Sequence, residues 1–132
     1  MINRVKNSTQ RVKIIQKLYS KTLNPDEKLI YSKSQYKKFI KDVVTGTIER
    51  SNLIEENINL HLNKDINLTK TDKLLKIILF AAIFELMFKH NIPKKVIISE
   101  YLIASEHFLE KIQVGYLNAI LDKISKELRK VE

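Results

Sequence analysis

The sequence predicts an all-α fold, a single helical domain of five to six main helices. Three observations predict it. The chain has 132 residues, 44% of them hydrophobic, enough for one sizeable core and short for two. It holds only two glycines, Gly46 and Gly115, and two prolines, Pro25 and Pro93, whereas a sandwich or barrel needs turn residues every few positions. Its apolar residues recur three and four apart over most of the length, the period of a helix buried on one face.

The first helical segment spans residues 8–23. Val12, Ile15 and Tyr19 mark its apolar face with Ile14 and Leu18 beside them, and Lys13, Lys17 and Lys21 repeat every four residues along one flank. Ser8 is expected to cap its start, and Asn24-Pro25 to end it, because proline has no N–H to donate. After a polar connection the second segment spans 34–62. Tyr36, Phe39, Ile40, Val43, Val44 and Ile48 mark its face, continued by Leu53, Ile54, Ile58 and Leu62. Gly46 costs about 1 kcal/mol inside a helix, so close packing against a neighbour is expected there, with a break near Ser51-Asn52. Beyond a loop over 63–70, Thr69-Lys70-Thr71-Asp72 loosely fits a capping box and opens the third segment, 71–89. Its centre, 77–84, is apolar all round, which marks a helix surrounded by others. His90-Asn91-Ile92 turns the chain, and Pro93 suits the first position of a fourth segment, 93–109, with Ile97, Tyr101, Ala104 and Phe108 as its stripe. In the fifth, 113–129, Val114, Leu117, Leu121, Ile124 and Leu128 alternate three and four apart, as in an a/d seam.

The net charge is +9, and its placement is lopsided. Residues 1–41 hold eleven Lys and Arg against two acids, Asp26 and Glu27, while the remaining 13 basic and 13 acidic residues cancel. The whole excess therefore lies in the first third. Such a field attracts polyanions, and nucleic acid gains further from counterion release; the plain alternative is a solvated, lysine-rich face. An anionic membrane surface fits less well, since the first segment lacks the Trp/Phe face of interfacial helices. The run 77–84, bounded by Lys76 and Glu85, is far below the ~20 apolar residues of a membrane span. Met1 to Arg11 lacks the apolar stretch of a secretory signal, so a cytoplasmic protein is expected.

Catalytic chemistry is missing. Two isolated glycines cannot build a phosphate loop. Zero cysteines remove disulfides, Cys-ligated zinc, iron–sulfur clusters and thiol nucleophiles, and fit a reducing compartment. Of His61, His90 and His107, only His107 has a carboxylate at helical metal spacing, Glu110, and one pair is too few. No serine sits in a nucleophile elbow. The sequence supports no enzyme, metal site or cofactor.

Five stretches, in order and at compatible spacing, carry a resemblance. Residues 11–19, RVKIIQKLY, are similar to "AR..AVQALY"; 39–46, FIKDVVTG, to "F...LV.G"; 79–86, LFAAIFEL, to "LRLA.YEL"; 92–100, IPKKVIISE, to "VP.KVAINE"; and 116–123, YLNAILDK, to "FVNGVLDK". Over nearly its full length the chain resembles the bacterial transcription antitermination factors of the NusB family. The resemblance implies two packed three-helix halves, here 1–66 and 67–132. It implies pairing with NusE, a small-subunit ribosomal protein that also serves transcription. The pair would bind the single-stranded boxA element of nascent RNA, chiefly of ribosomal RNA operons, within the RNA polymerase antitermination complex.

On that reading phosphate contacts fall to Arg4, Lys6, Arg11, Lys13 and Lys17. Tyr116, at the family's Phe position, is the platform for a splayed base, with Lys111 and Gln113 beside the same strand; packing inward beside Leu117 is its structural alternative. Tyr19 matches a family position near the NusE surface and is otherwise a core residue. Glu85 is expected to pair with a basic residue of the first segment, and Asn118 to hydrogen-bond a helix terminus, with RNA reading as its alternative. The chain departs from the family pattern at Asn7, Ser8 and Thr9, which thin the arginine-rich start, at Phe80 in place of Arg, at Ala119 in place of Gly, and in a shorter connection after Tyr19. Lysines there give point charges without the arginine fork. The first helix and the start of the last are expected to share one solvent-facing patch, and Arg11→Ala to weaken RNA binding without loss of helix. Two rival readings are a free-standing relative of the RNA-targeting domain fused to ribosomal RNA cytosine methyltransferases, and a helical protein–protein adaptor. No such enzyme domain follows within the 132 residues, which favours a free-standing factor.

Overall fold

The computed structural model describes residues 2–130, with side chains described from Gln10 onward. Among the described residues the chain forms six α-helices: α1 (Ile2–Leu23), α2 (Lys37–Glu49), α3 (Ser51–Leu62), α4 (Lys73–Phe88), α5 (Lys94–Ser105) and α6 (Lys111–Leu128), with one 3₁₀ turn at Leu68–Lys70. The predicted all-α class holds. The predicted second segment is two helices, parted at Arg50, one residue before the expected break. Ser8 lies inside α1 and does not cap it, because nothing in residues 2–7 is a Gly or Pro that would stop the helix earlier.

α4 is the organising element. Ten of its 16 residues are buried, and it packs against each of the other five helices. The all-round apolar run thus takes the central place that its pattern predicts. The Asp72 carboxylate caps the helix by accepting the Leu75 N–H at 3.1 Å, in place of the expected Thr69 box. Around α4, α1 contributes Ile14, Ile15 and Leu18, α2 contributes Ile40, Val43 and Val44, and α3 contributes Ile54, Ile58 and Leu62. Ile97, Tyr101 and Ala104 of α5 and Leu117, Leu121 and Ile124 of α6 close the core. Val114 and Leu128, at the ends of the predicted seam, are only half-buried.

Gly46 shows why a glycine sits mid-helix. A Cβ there would lie 2.2 Å from Phe84 Cζ and 2.3 Å from Cε1, and Phe84 is itself buried and stacked on Phe88 with ring centroids 5.1 Å apart. α2 therefore approaches α4 over the bare backbone. Gly46→Ala is expected to destabilise by about 1–2 kcal/mol, the overpacking cost exceeding the gain in helix propensity. Adding Phe84→Leu should recover part of that loss. Urea unfolding of the single and double variants measures both.

Candidate nucleic-acid interface

Arg11 is the first correction. Placed among the phosphate contacts by its sequence neighbourhood, it is 5% exposed and points into the core. Its Nη2 and Nε donate to the two oxygens of Glu85 at 2.6 and 3.2 Å, and its guanidinium lies over the rings of Phe39 and Tyr101 at 4.9 and 5.8 Å. The Tyr101 hydroxyl donates to Glu85 Oε2. Burial, then the Glu85 charge, holds the Tyr101 pKa well above its ordinary value, so the phenol keeps the proton it donates. Burial lowers the Arg11 pKa, but Glu85 together with Tyr101 and Glu100 raises it further, and the net shift is upward. The signal was present in the sequence. Arg11 stands three, four and seven residues before Ile14, Ile15 and Leu18, so the core stripe of α1 includes it. Glu85, the basic-residue partner expected of it now identified, is fully buried and needs a cation.

The rest of the α1 set divides. The side chains of Arg4 and Lys6 lie outside the described residues. Lys13 is exposed. Lys17 is half-buried; its ammonium donates to the Ile30 carbonyl and lies 5.5 Å from the Tyr31 ring centroid. Lys21 donates to the Glu27 carbonyl at 2.8 Å. Two lysines of the α1 flank thus hold the connection to α2 in place, a duty that periodicity alone does not reveal. Tyr19 is half-buried on α1. Beside Leu18, Lys21 and Thr22 of the same helix end runs a cleft of about 540 Å³, floored by Ile48 and Phe80. Phe80, which stands at the family's Arg position, has the Lys76 ammonium 5.7 Å over its ring.

At the start of α6, Gln113 and Glu110 form a reciprocal capping box, with the Gln113 side-chain oxygen accepting the Glu110 N–H at 3.0 Å. Gln113 therefore serves as a helix cap through its side-chain oxygen, a bond that does not use its amide N–H groups. Lys111 is exposed. Tyr116 is 40% exposed, while Leu117 turns inward to the core. The Tyr116 hydroxyl donates to the Asp65 carbonyl, and Asp65 also pairs with Lys123 at 2.7 Å. Partial burial, then the Asp65 charge, raises the Tyr116 pKa. The ring is thereby fixed at its tip and open along its flank. Ile112, four residues earlier and 85% exposed, Gly115 and Ala119 extend that flank into an apolar strip. Asn118 is exposed and makes no hydrogen bond among the described residues, so the expected bond to a helix terminus is absent.

The patch expected between α1 and α6 rests in part on Arg4 and Lys6, whose side chains lie outside the described residues. α1 packs on α2, α4 and α5, whereas α6 packs on α3, α4 and α5. Lys13 faces the α1–α2 connection, and Tyr116 faces the segment after α3. Among the described residues no three His, Cys, Asp or Glu side chains gather to hold a metal ion, and no helix is long and apolar enough to cross a membrane.

Comparison with known proteins agrees with this architecture. The model of the NusB family matches residues 1–126. The chain is 33% identical over 94 residues to the transcription antitermination protein NusB of Rhodopseudomonas palustris, covering 71% of this chain and 56% of that one. It is 33% identical over 91 residues to the protein of the same name from Nitrobacter hamburgensis, covering 69% and 57%. The chain thus spans little more than half the length of these relatives. A solved structure of NusB from T. maritima superposes with a TM-score of 0.78 at 24% identity, covering 92% of this chain and 91% of that one.

Proposed function

From the chain's membership of the NusB family, we propose that it is a transcription antitermination factor that binds boxA-type single-stranded RNA together with NusE. The match along residues 1–126 carries this reading. Two features support it: the positive excess concentrated in residues 1–41, and the open ring flank of Tyr116 on α6. Phosphates are held by lysines and by the arginine and lysine of the α1 start, Arg4 and Lys6, and one splayed base stacks on Tyr116. NusE meets the end of α1, where Tyr19 is half-buried. The complex then acts on RNA polymerase in the cytoplasm, without catalysis by this chain.

A fluorescence titration against boxA-like RNA, with and without NusE from the same organism, tests the reading. The expected result is sequence-dependent, salt-dependent binding that tightens with NusE. Affinity indifferent to sequence and to NusE would overturn it. Within that assay, Tyr116→Ala is expected to weaken binding about tenfold, the loss of one stacked base. Tyr116→Phe should keep most of the affinity, because it removes only the hydroxyl bonded to Asp65 and leaves the ring. Equal losses in the two variants would assign Tyr116 a structural role instead.

A further inference from the structure

The connection between α1 and α2 folds back along α1 and closes a small cleft of about 160 Å³. Lys13 and Lys17 line it from α1, Ser32 and Ser34 from the connection, and Lys37 from the first turn of α2, with Tyr31 as one wall. No carboxylate lines it among the described residues. Three ammonium groups facing one concavity repel one another, and an anion between them relieves that repulsion. The site is also largely pre-formed. Lys17 is fixed by the Ile30 carbonyl and the Tyr31 ring. Ser34 Oγ accepts the Tyr36 N–H at 3.2 Å, which orients its hydroxyl and leaves its proton to donate. Lys33 on the connection and Lys38 and Lys41 on α2 are exposed as well, adding to the positive charge near the cleft.

We propose that this α1–α2 cleft is a phosphodiester-binding site for single-stranded RNA, in which Lys13, Lys17 and Lys37 hold one phosphate group and Ser32 and Ser34 donate to it. The proposal rests on the RNA-binding reading above and extends it to residues of the connection and of α2. A lining of lysines and serines with no carboxylate suits a phosphate, so the site contributes affinity and register without reading sequence.

The test is fluorescence anisotropy of a labelled single-stranded RNA across a KCl series, with wild type, Lys13→Gln, Lys37→Gln, the double variant and Lys126→Gln. Lys126 already pairs with Asp122 on the outer face of α6 and serves as the control. Each cleft variant is expected to bind about fivefold more weakly at 0.1 M salt, and to flatten the plot of log affinity against log salt by about 0.7. Lys126→Gln should leave both unchanged. A wild-type slope retained by the double variant overturns the proposal while leaving the RNA-binding reading intact. No RNA binding by the wild type overturns both. A melting temperature raised by inorganic phosphate in the wild type alone, with the RNA slope unmoved by the variants, makes the cleft a site for a free anion and overturns the RNA assignment.

Discussion

Arg11→Ala is expected to destabilise the fold by about 3–5 kcal/mol, the cost of leaving a buried charge without its partner. Glu85 is fully buried, and after the substitution only the Tyr101 hydroxyl would still face it. The carboxylate must then stay charged in an apolar setting or take up a proton, and either course costs free energy. Arg11→Lys should recover little. A single ammonium cannot donate to both Glu85 oxygens in the fork geometry of Nε and Nη2, nor spread over Phe39 and Tyr101. The double variant Arg11→Met with Glu85→Leu should regain most of the loss, because apolar side chains of similar volume replace a buried ion pair at little cost. Equilibrium urea unfolding of wild type and these three variants measures the differences. A stable Arg11→Ala variant with weakened RNA binding would return Arg11 to the surface role that its sequence context suggests.

Arg129→Ala is expected to cost about 2–4 kcal/mol and to loosen the turn between α4 and α5. Arg129 is 5% exposed and follows the last turn of α6. Its Nε donates to the Leu86 carbonyl at 2.6 Å, its Nη1 to that of Ile92 at 2.9 Å, and its Nη2 to those of Lys89 and Glu85 at 3.0 and 3.3 Å. These carbonyls gather at and just beyond the end of α4, where those of Glu85 and Lys89 also accept the Lys89 and Ile92 N–H groups, and a cation there meets the negative end of the helix dipole. Hydrogen exchange should therefore accelerate at residues 89–93 more than in α2 or α3. Uniform exchange with unchanged unfolding would mean that water replaces the guanidinium without loss.

Together these two residues explain why a count of charge misjudges this surface. Arg11 and Arg129 are both part of the +9, yet Arg11 is neutralised by Glu85 and Arg129 is surrounded by carbonyls. Lys17 and Lys21 are in part committed to the Ile30 and Glu27 carbonyls. What remains open to a polyanion is a narrower set, led by Lys13, Lys37 and Lys111. The same lesson holds at the start of α6, where the box pattern expected at Thr69 is instead built by Glu110 and Gln113.

The sequence by itself determined the helical class, the central place of α4 and the close approach at Gly46. Each of these follows from spacing along one chain: 3.6-residue periodicity, an apolar run with no polar face, and a residue without a side chain. Only the tertiary structure decided which cations are internal and that Tyr116 lies open while tied to Asp65. Those outcomes depend on contacts between residues such as Arg11 and Glu85, 74 positions apart. Local pattern fixes which face of a helix turns inward, but the partner waiting there is set by how the helices pack.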